Sequence, residues 1–432
     1  MEQPEADKNN GDPIILNEAL VDDLKTRKCF QTPNVEAAFR SVLRHHFLPG
    51  RPLEEVYSDR AISAKQNEQG QWLSSSSQPA IMAIMLEQLG LEPGHKVLEI
   101  GAGTGYNAAL MAHIVGETGR VVTVDIDEDL VEAARAHLTA AGFEQVQVVC
   151  ADGGYGVPEL APFDRILLTV GAPDITPAWW EQLQPEGRMV LPLVLKGSMK
   201  SVAFEKVDDH LASLSVQDCG FIQLRGDFAA TGSKEVQLGP DPGLYLETLD
   251  ASPIDSDAVY ALLTGTSRDW AVNVEIMVWD AVVGNLWTWL ALHEPRMCKL
   301  IAKGDMVERE LVPHLAGIDA KQKSTITGVR LGEKGLIALM RPPDQPMRLL
   351  PPEKLFDSDA PFALYLRQFG PEDALAQHLV RQIQAWDAAG RPSFDRMHIQ
   401  AYPKDSTYVP AEGEIVLEKQ WTKLIIEWPT TG

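Results

Sequence analysis

Val97-Leu98-Glu99-Ile100-Gly101-Ala102-Gly103-Thr104-Gly105 is the stretch on which the reading of this 432-residue chain turns. Lys96–Ile100 reads as a short apolar strand and Tyr106–Val115 as a helix, so the three glycines fall in a strand-to-helix turn. Glycine there lets the backbone approach a ligand that a Cβ would push away. A pyrophosphate-binding fingerprint needs glycine at 101, 103 and 106; position 106 is Tyr, so that reading fails on spacing. Working outward, Arg120–Asp125 and Val146–Cys150 are the next strands, with the helix Glu128–Ala141 between them and Gly142 closing it. Asp164–Val170 and Arg188–Leu193 continue the alternation around the helix Thr176–Gln184, and Ser201–Lys206 with Leu211–Val216 reads as an antiparallel pair. Strand and helix alternating in this way predict an α/β fold with a doubly wound, mostly parallel sheet.

The spacing E-x-G-x-G-x-G resembles that of class I S-adenosylmethionine-dependent methyltransferases. The resemblance implies a Rossmann-like domain and S-adenosylmethionine as cofactor. Glu99, Gly101, Gly103 and Gly105 would then carry the loop, Asp125 would accept the ribose hydroxyls, and Asp152 with Gly153 would meet the adenine amino group.

Blocks on either side narrow the resemblance. Arg44-His45-His46-Phe47-Leu48-Pro49, Tyr57-Ser58-Asp59-Arg60, Ala161-Pro162-Phe163-Asp164-Arg165-Ile166, Gly187-Arg188-Met189-Val190-Leu191-Pro192 and Cys219-Gly220-Phe221-Ile222-Gln223-Leu224-Arg225-Gly226 stand in the order found in protein-L-isoaspartate O-methyltransferases. The family usually has G-Q-T-I-S-A-P-H-M before the first core helix. Here Gly70-Gln71-Trp72-Leu73-Ser74-Ser75-Ser76-Ser77-Gln78-Pro79 is three residues longer and lacks the His. By resemblance this loop lies over the cofactor and a serine hydroxyl faces the substrate carboxylate. Ser77 takes that register, with Ser76 and Ser75 as further candidates. Such a carboxylate is already ionised at neutral pH, so positioning rather than a general base is the expected source of catalysis. His45 and His46 read as packing residues, and Arg60 either meets a peptide carboxylate or backbone or pairs with Asp59 or another acid.

Some 200 residues follow that ordinary members of the family lack. Leu286–Leu292, Gln384–Asp387 and Trp421–Trp428 resemble homologues that accompany ribosomally made peptides such as lanthipeptides and graspetides. The resemblance implies methylation of an Asp side chain in a modified precursor peptide, the ester then closing to an aspartimide; the alternative is repair of isoaspartyl proteins. The expected organisation is a disordered tail over 1–15, a catalytic domain over 16–230 and a smaller mixed α/β substrate-recognition domain over 231–432. In that last domain Asn273–Trp279, Leu286–Leu292, Arg396–Ala401, Glu414–Leu417 and Thr422–Glu427 read as strands and Pro371–Ala388 as a helix. Seven of the ten tryptophans lie there, suited either to a core or to a partly apolar binding surface.

Composition limits the partners. The formal charge is −23, of which −15 falls up to Ala230 and −8 beyond it, so nucleic acid and anionic membranes are poor partners. Cys29, Cys150, Cys219 and Cys298 are far apart without ligand spacing; buried thiols, no metal and a cytoplasmic setting are expected.

Overall fold

A computed structural model describes residues 11–230, 234–249, 252–318, 323–345, 349–350 and 360–428. Two compact units are present. Among the described residues the first contains 11–194, 199–230 and 397–428, and the second 195–198 and 234–396.

In the first unit the chain starts with helix α1 (Pro13–Thr26), whose Ile14 N–H is capped by the Asp12 side chain at 2.8 Å. Residues 13–15, expected to belong to a disordered tail, are therefore helical: Pro at the first helical position and an Asp cap start a helix there. Residues 1–10 lie outside the described residues. Helix α2 (Pro33–Ser41) and a single turn, Arg44–Phe47, lead to strands β1 (Ile62–Gln66) and β2 (Trp72–Ser76), which pair antiparallel as a separate two-stranded sheet. The serine-rich segment is thus half strand. Helix α3 (Pro79–Leu89) follows, closed by Gly90 at φ 60°.

The main sheet then builds outward from β3 (Lys96–Ile100), four of whose five residues are buried, as expected of a strand covered on both faces. After helix α4 (Tyr106–Val115), β4 (Arg120–Asp125) pairs parallel with β3 on one side. Helix α5 (Glu128–Ala140) and β5 (Gln147–Cys150) complete that edge. On the other side come β6 (Phe163–Leu168), helix α6 (Pro177–Gln182) and β7 (Leu183–Leu195), again parallel. Strands β8 (Ser198–Val207) and β9 (His210–Asp218) form an antiparallel pair beyond β7.

Among its described residues the second unit holds a nine-stranded sheet with helices Ser256–Leu263 (α7), Asn285–His293 (α8) and Asp373–Ala388 (α9). Its longest strand, Ser267–Ile276, overlaps the strand expected at Asn273–Trp279. Leu286–Leu292, expected as a strand, is helical: Leu286, Trp287, Leu290 and Ala291 are buried at a helical repeat that a short apolar run does not distinguish from a strand. Trp287 and Trp386 are fully buried, so these two tryptophans fill the core and do not form a binding surface.

After the second unit the chain returns to the first sheet. Strand β10 (His398–Pro403) pairs with β9, and β11 (Ile415–Glu418) and β12 (Thr422–Glu427) extend it to ten strands among the described residues. The strands at 396–401, 414–417 and 422–427 were expected, but in the C-terminal domain. Their membership in the first unit depends on pairing with a strand nearly 200 residues earlier, which local pattern does not carry. Among the described residues no helix is long and apolar enough to cross a membrane, and no cluster of His, Cys, Asp and Glu could hold a metal ion. Cys29 and Cys298 are buried, whereas Cys150, at the end of β5, is exposed.

Candidate active site

A cavity of about 720 Å³ opens where β3, β4 and β6 end. The chain leaves β3 for neighbours on both sides, and ligands bind in α/β sheets at such a reversal of strand order. On one side lie Gly101, Gly103, Asp125, Gly153 and Thr169. Gly103 adopts φ 50°, and its amide donates to Asp125 Oδ2 at 3.0 Å, so the buried carboxylate is tied to the loop. The Thr169 hydroxyl donates to the carbonyl of Gly101 at 2.7 Å and holds the turn from the β6 side.

Facing this loop is β2 with the residues after it. Ser74, Ser75 and Ser77 line the cavity, and their hydroxyls have no hydrogen-bond partner among the described residues. A Cβ on Gly103 would stand 3.4 Å from the carbonyl oxygen of Ser75, so glycine loop and serine strand are in near contact. Ser76 points elsewhere: its hydroxyl accepts from Arg44 Nη2 at 3.3 Å and it does not line the cavity.

Arg44 is fully buried and donates to the carbonyls of Val56 (2.9 Å), Ser58 (3.2 Å), Arg60 (3.2 Å), Ser76 (3.3 Å) and Ser77 (2.8 Å). Burial lowers its pKa, although a guanidinium keeps its charge at any ordinary pH. Asp59 accepts from Arg27, from the Gln78 amide and from the Ala80 backbone N–H, the last at 2.9 Å, and so caps α3 from a distance. The far end of the hairpin is held by Lys65, which bridges Asp127 (3.1 Å) and Asp129 (2.6 Å). Asp127 also pairs with Arg225 at 2.6 Å, and both partners hold its carboxyl below the usual range.

The sequence-expected residues therefore separate. Gly101, Gly103, Asp125, Gly153, Ser75 and Ser77 share one cavity; Glu99, Gly105, Asp152 and Ser76 do not line it. Glu99 is fully buried and accepts from Asn107 Nδ2 at 2.7 Å and Thr123 Oγ1 at 2.6 Å. Burial pushes its carboxyl up to about 7 against these two bonds. Asp152 accepts from the backbone of Gly154 and Asp227, and Gly105 begins α4 at φ 88°. Thr169, Asp59, Lys65 and Arg225 were not singled out as site-forming. Their signal is the strand order and the fold-back of 219–225 onto the cavity, neither visible locally. His45 is a packing residue whose Nδ1 meets the Tyr57 hydroxyl at 2.7 Å.

A glycine turn after a central parallel strand, a carboxylate ending the next strand and a cavity across both define a class I S-adenosylmethionine-dependent methyltransferase. The residues present fit that cofactor: the cavity is within the roughly 300–1,000 Å³ of small-molecule sites, and Asp125 lines it beside Gly101 and Gly103, whose lack of a Cβ leaves room for a ligand. The family model for protein-L-isoaspartate(D-aspartate) O-methyltransferase matches residues 15–228. A protein-L-isoaspartate O-methyltransferase of Methanopyrus kandleri is 38% identical over 212 residues, covering 49% of this chain and 91% of that protein. One from Thermotoga maritima is 41% identical over 197 residues, covering 45% of this chain and 62% of that protein, so the match spans less than two thirds of the latter. A solved protein-L-isoaspartate O-methyltransferase is 26% identical, with a TM-score of 0.48, over 89% of this chain and 96% of its own. The chain belongs to the protein-L-isoaspartate O-methyltransferase family, whose members are carboxyl methyltransferases.

Proposed function

We propose that this chain methylates the free carboxylate of isoaspartyl residues in proteins or peptides. The observation that carries the reading is the juxtaposition of the glycine loop with unpartnered serine hydroxyls across one cavity. S-adenosylmethionine, when bound, supplies the methyl group from its sulfonium. Gly101 and Gly103 would border it, Asp125 would accept the ribose hydroxyls and Gly153 would border the adenine, with Asp152, Glu99 and Gly105 supporting these from outside the cavity. Ser77, with Ser75 beside it, orients the acceptor carboxylate; Ser76 fixes the strand through Arg44. A carboxylate needs no deprotonation at neutral pH, so the residues act by aligning its oxygen with the methyl carbon and excluding water.

The test is transfer of labelled methyl from S-adenosylmethionine to an isoaspartyl peptide and to its normal aspartyl twin. The expected result is a base-labile ester on the isoaspartyl peptide alone. Transfer only to an Asp side chain in a modified, cyclic precursor peptide, followed by net loss of water, would replace repair with peptide maturation through an aspartimide.

A further inference from the structure

The acceptor is an anion, yet the chain carries a net charge of −23, so its long-range field opposes binding. Most charged side chains lining the cavity are already engaged. Asp59 is held by Arg27, Gln78 and Ala80, Asp218 pairs with Lys200, Arg225 pairs with Asp127, and Asp125 accepts from Gly103. Arg60 differs. It lines the cavity and is exposed, and its guanidinium has no hydrogen-bond or ion-pair partner among the described residues. Asp59, the obvious neighbour, is taken by Arg27 at 2.8 Å. What is fixed about Arg60 is its backbone. Arg44 Nη2 donates to the carbonyls of both Arg60 and Ser77, which holds those two oxygens within about 6 Å of each other.

We propose that Arg60 is a specificity residue that pairs with a second carboxylate of the substrate, on an acidic residue flanking the one methylated, so that acidic peptides are preferred. The proposal rests on the isoaspartyl-methylation reading above. A guanidinium grips a carboxylate through two parallel N–H···O bonds and occupies both oxygens. The methylated carboxylate must keep one oxygen free for attack, which serine hydroxyls permit and a bidentate arginine does not. The free cation therefore suits the neighbouring carboxylate, and Arg44 keeps both recognition points in register.

The experiment compares kcat/KM for three isoaspartyl peptides identical except for Glu, Gln or Lys beside the acceptor. The native chain is expected to favour Glu over Gln about fivefold, through KM, with the preference shrinking as salt is raised. Arg60→Ala should bring the Glu-to-Gln ratio to about one, and Arg60→Glu should place Lys above Glu. Both leave in place the carbonyl that Arg44 binds. A ratio unchanged in both variants overturns the role of Arg60 while methylation stands. Failure of the native chain to methylate any of the three overturns the methylation reading, and this proposal with it.

Discussion

The two sides of the cavity are built on different principles. The cofactor side is backbone: a glycine turn between β3 and α4, fastened by Asp125 and Thr169, at the end of β3 and β4, central strands buried on both faces. The acceptor side is a two-stranded hairpin and its flanks, and such a hairpin alone is marginal in water. It is held by charged groups: Arg44 and Asp59 at its base, and Lys65 with Asp127 and Arg225 at its far end. A side that binds one invariant ligand can be left to the sheet. A side that must match a particular acceptor is a separate piece, tied on by side chains that can change without disturbing the sheet.

The severest way to break this contrast is Arg44→Met. It leaves five carbonyls without their donor in a buried setting, a loss of about 3–5 kcal/mol in stability. Urea unfolding would measure it. Arg44→Lys, with three donors, should recover only part. Hydrogen exchange should rise over 58–77 and stay native over 97–105; equal loosening of both would show that the two sides are not separately anchored.

Glu99 sharpens the comparison from the cofactor side. Its carboxyl sits near 7 in the folded chain, because burial disfavours the charge, and near 4.3 when unfolded. The folded state therefore binds the proton more tightly. The Glu99 contribution to stability is therefore greatest below about pH 4, declines as pH rises through 7, and its loss amounts to on the order of 3 kcal/mol above that. Glu99→Gln, able to bond Asn107 and Thr123, removes this slope. Thermal midpoints of the two chains between pH 5 and 8 test it, and parallel curves would mean that Glu99 does not titrate there.

Ser77 gives the next effect down. On the proposed function, in which the hydroxyl orients the acceptor only, Ser77→Ala should slow methyl transfer about ten- to a hundredfold, with cofactor affinity changed less than about twofold. Calorimetry with S-adenosylmethionine separates the two, and affinity falling in step with rate would move Ser77 to the cofactor side.

How much of this the sequence displayed follows the same division. The Gly101–Gly105 turn and Asp125 were legible because strand, turn and helix are local patterns with fixed spacing. The helix Tyr106–Val115 was legible for the same reason. That the serine segment borders the cavity was legible by resemblance, but the four serines look alike, and only the direction of β2 turns Ser76 toward Arg44. Arg44 itself reads as one member of a basic block; its role arises from carbonyls at 56, 58, 60, 76 and 77 converging on it. Strands β10 to β12 were visible as strands and misplaced as a domain, since their partner β9 precedes the whole second unit.

Those returning strands yield the smallest effect. The Trp421 backbone N–H donates to Asp174 at 2.6 Å, and the Thr422 hydroxyl and N–H donate to the same carboxylate, itself 3% exposed, just after β6. The Trp421 ring lies 5.1 Å from that of Phe228, which meets Tyr155 edge-on at 4.8 Å and occupies the space where a Cβ on Gly154 would stand. Asp152 accepts from Gly154 and Asp227 within the same small cluster. The C-terminal strand is thus linked to the residues flanking Gly153 on the cofactor side. Trp421→Ala removes one aromatic contact at one remove from the cavity, so S-adenosylmethionine should bind about three- to fivefold more weakly, with the peptide KM unaltered. Calorimetric titration beside initial-rate kinetics reads both. A raised peptide KM with unchanged cofactor affinity would assign these strands to the acceptor side, and the division between a sheet-built and a side-chain-tied half would have to be redrawn.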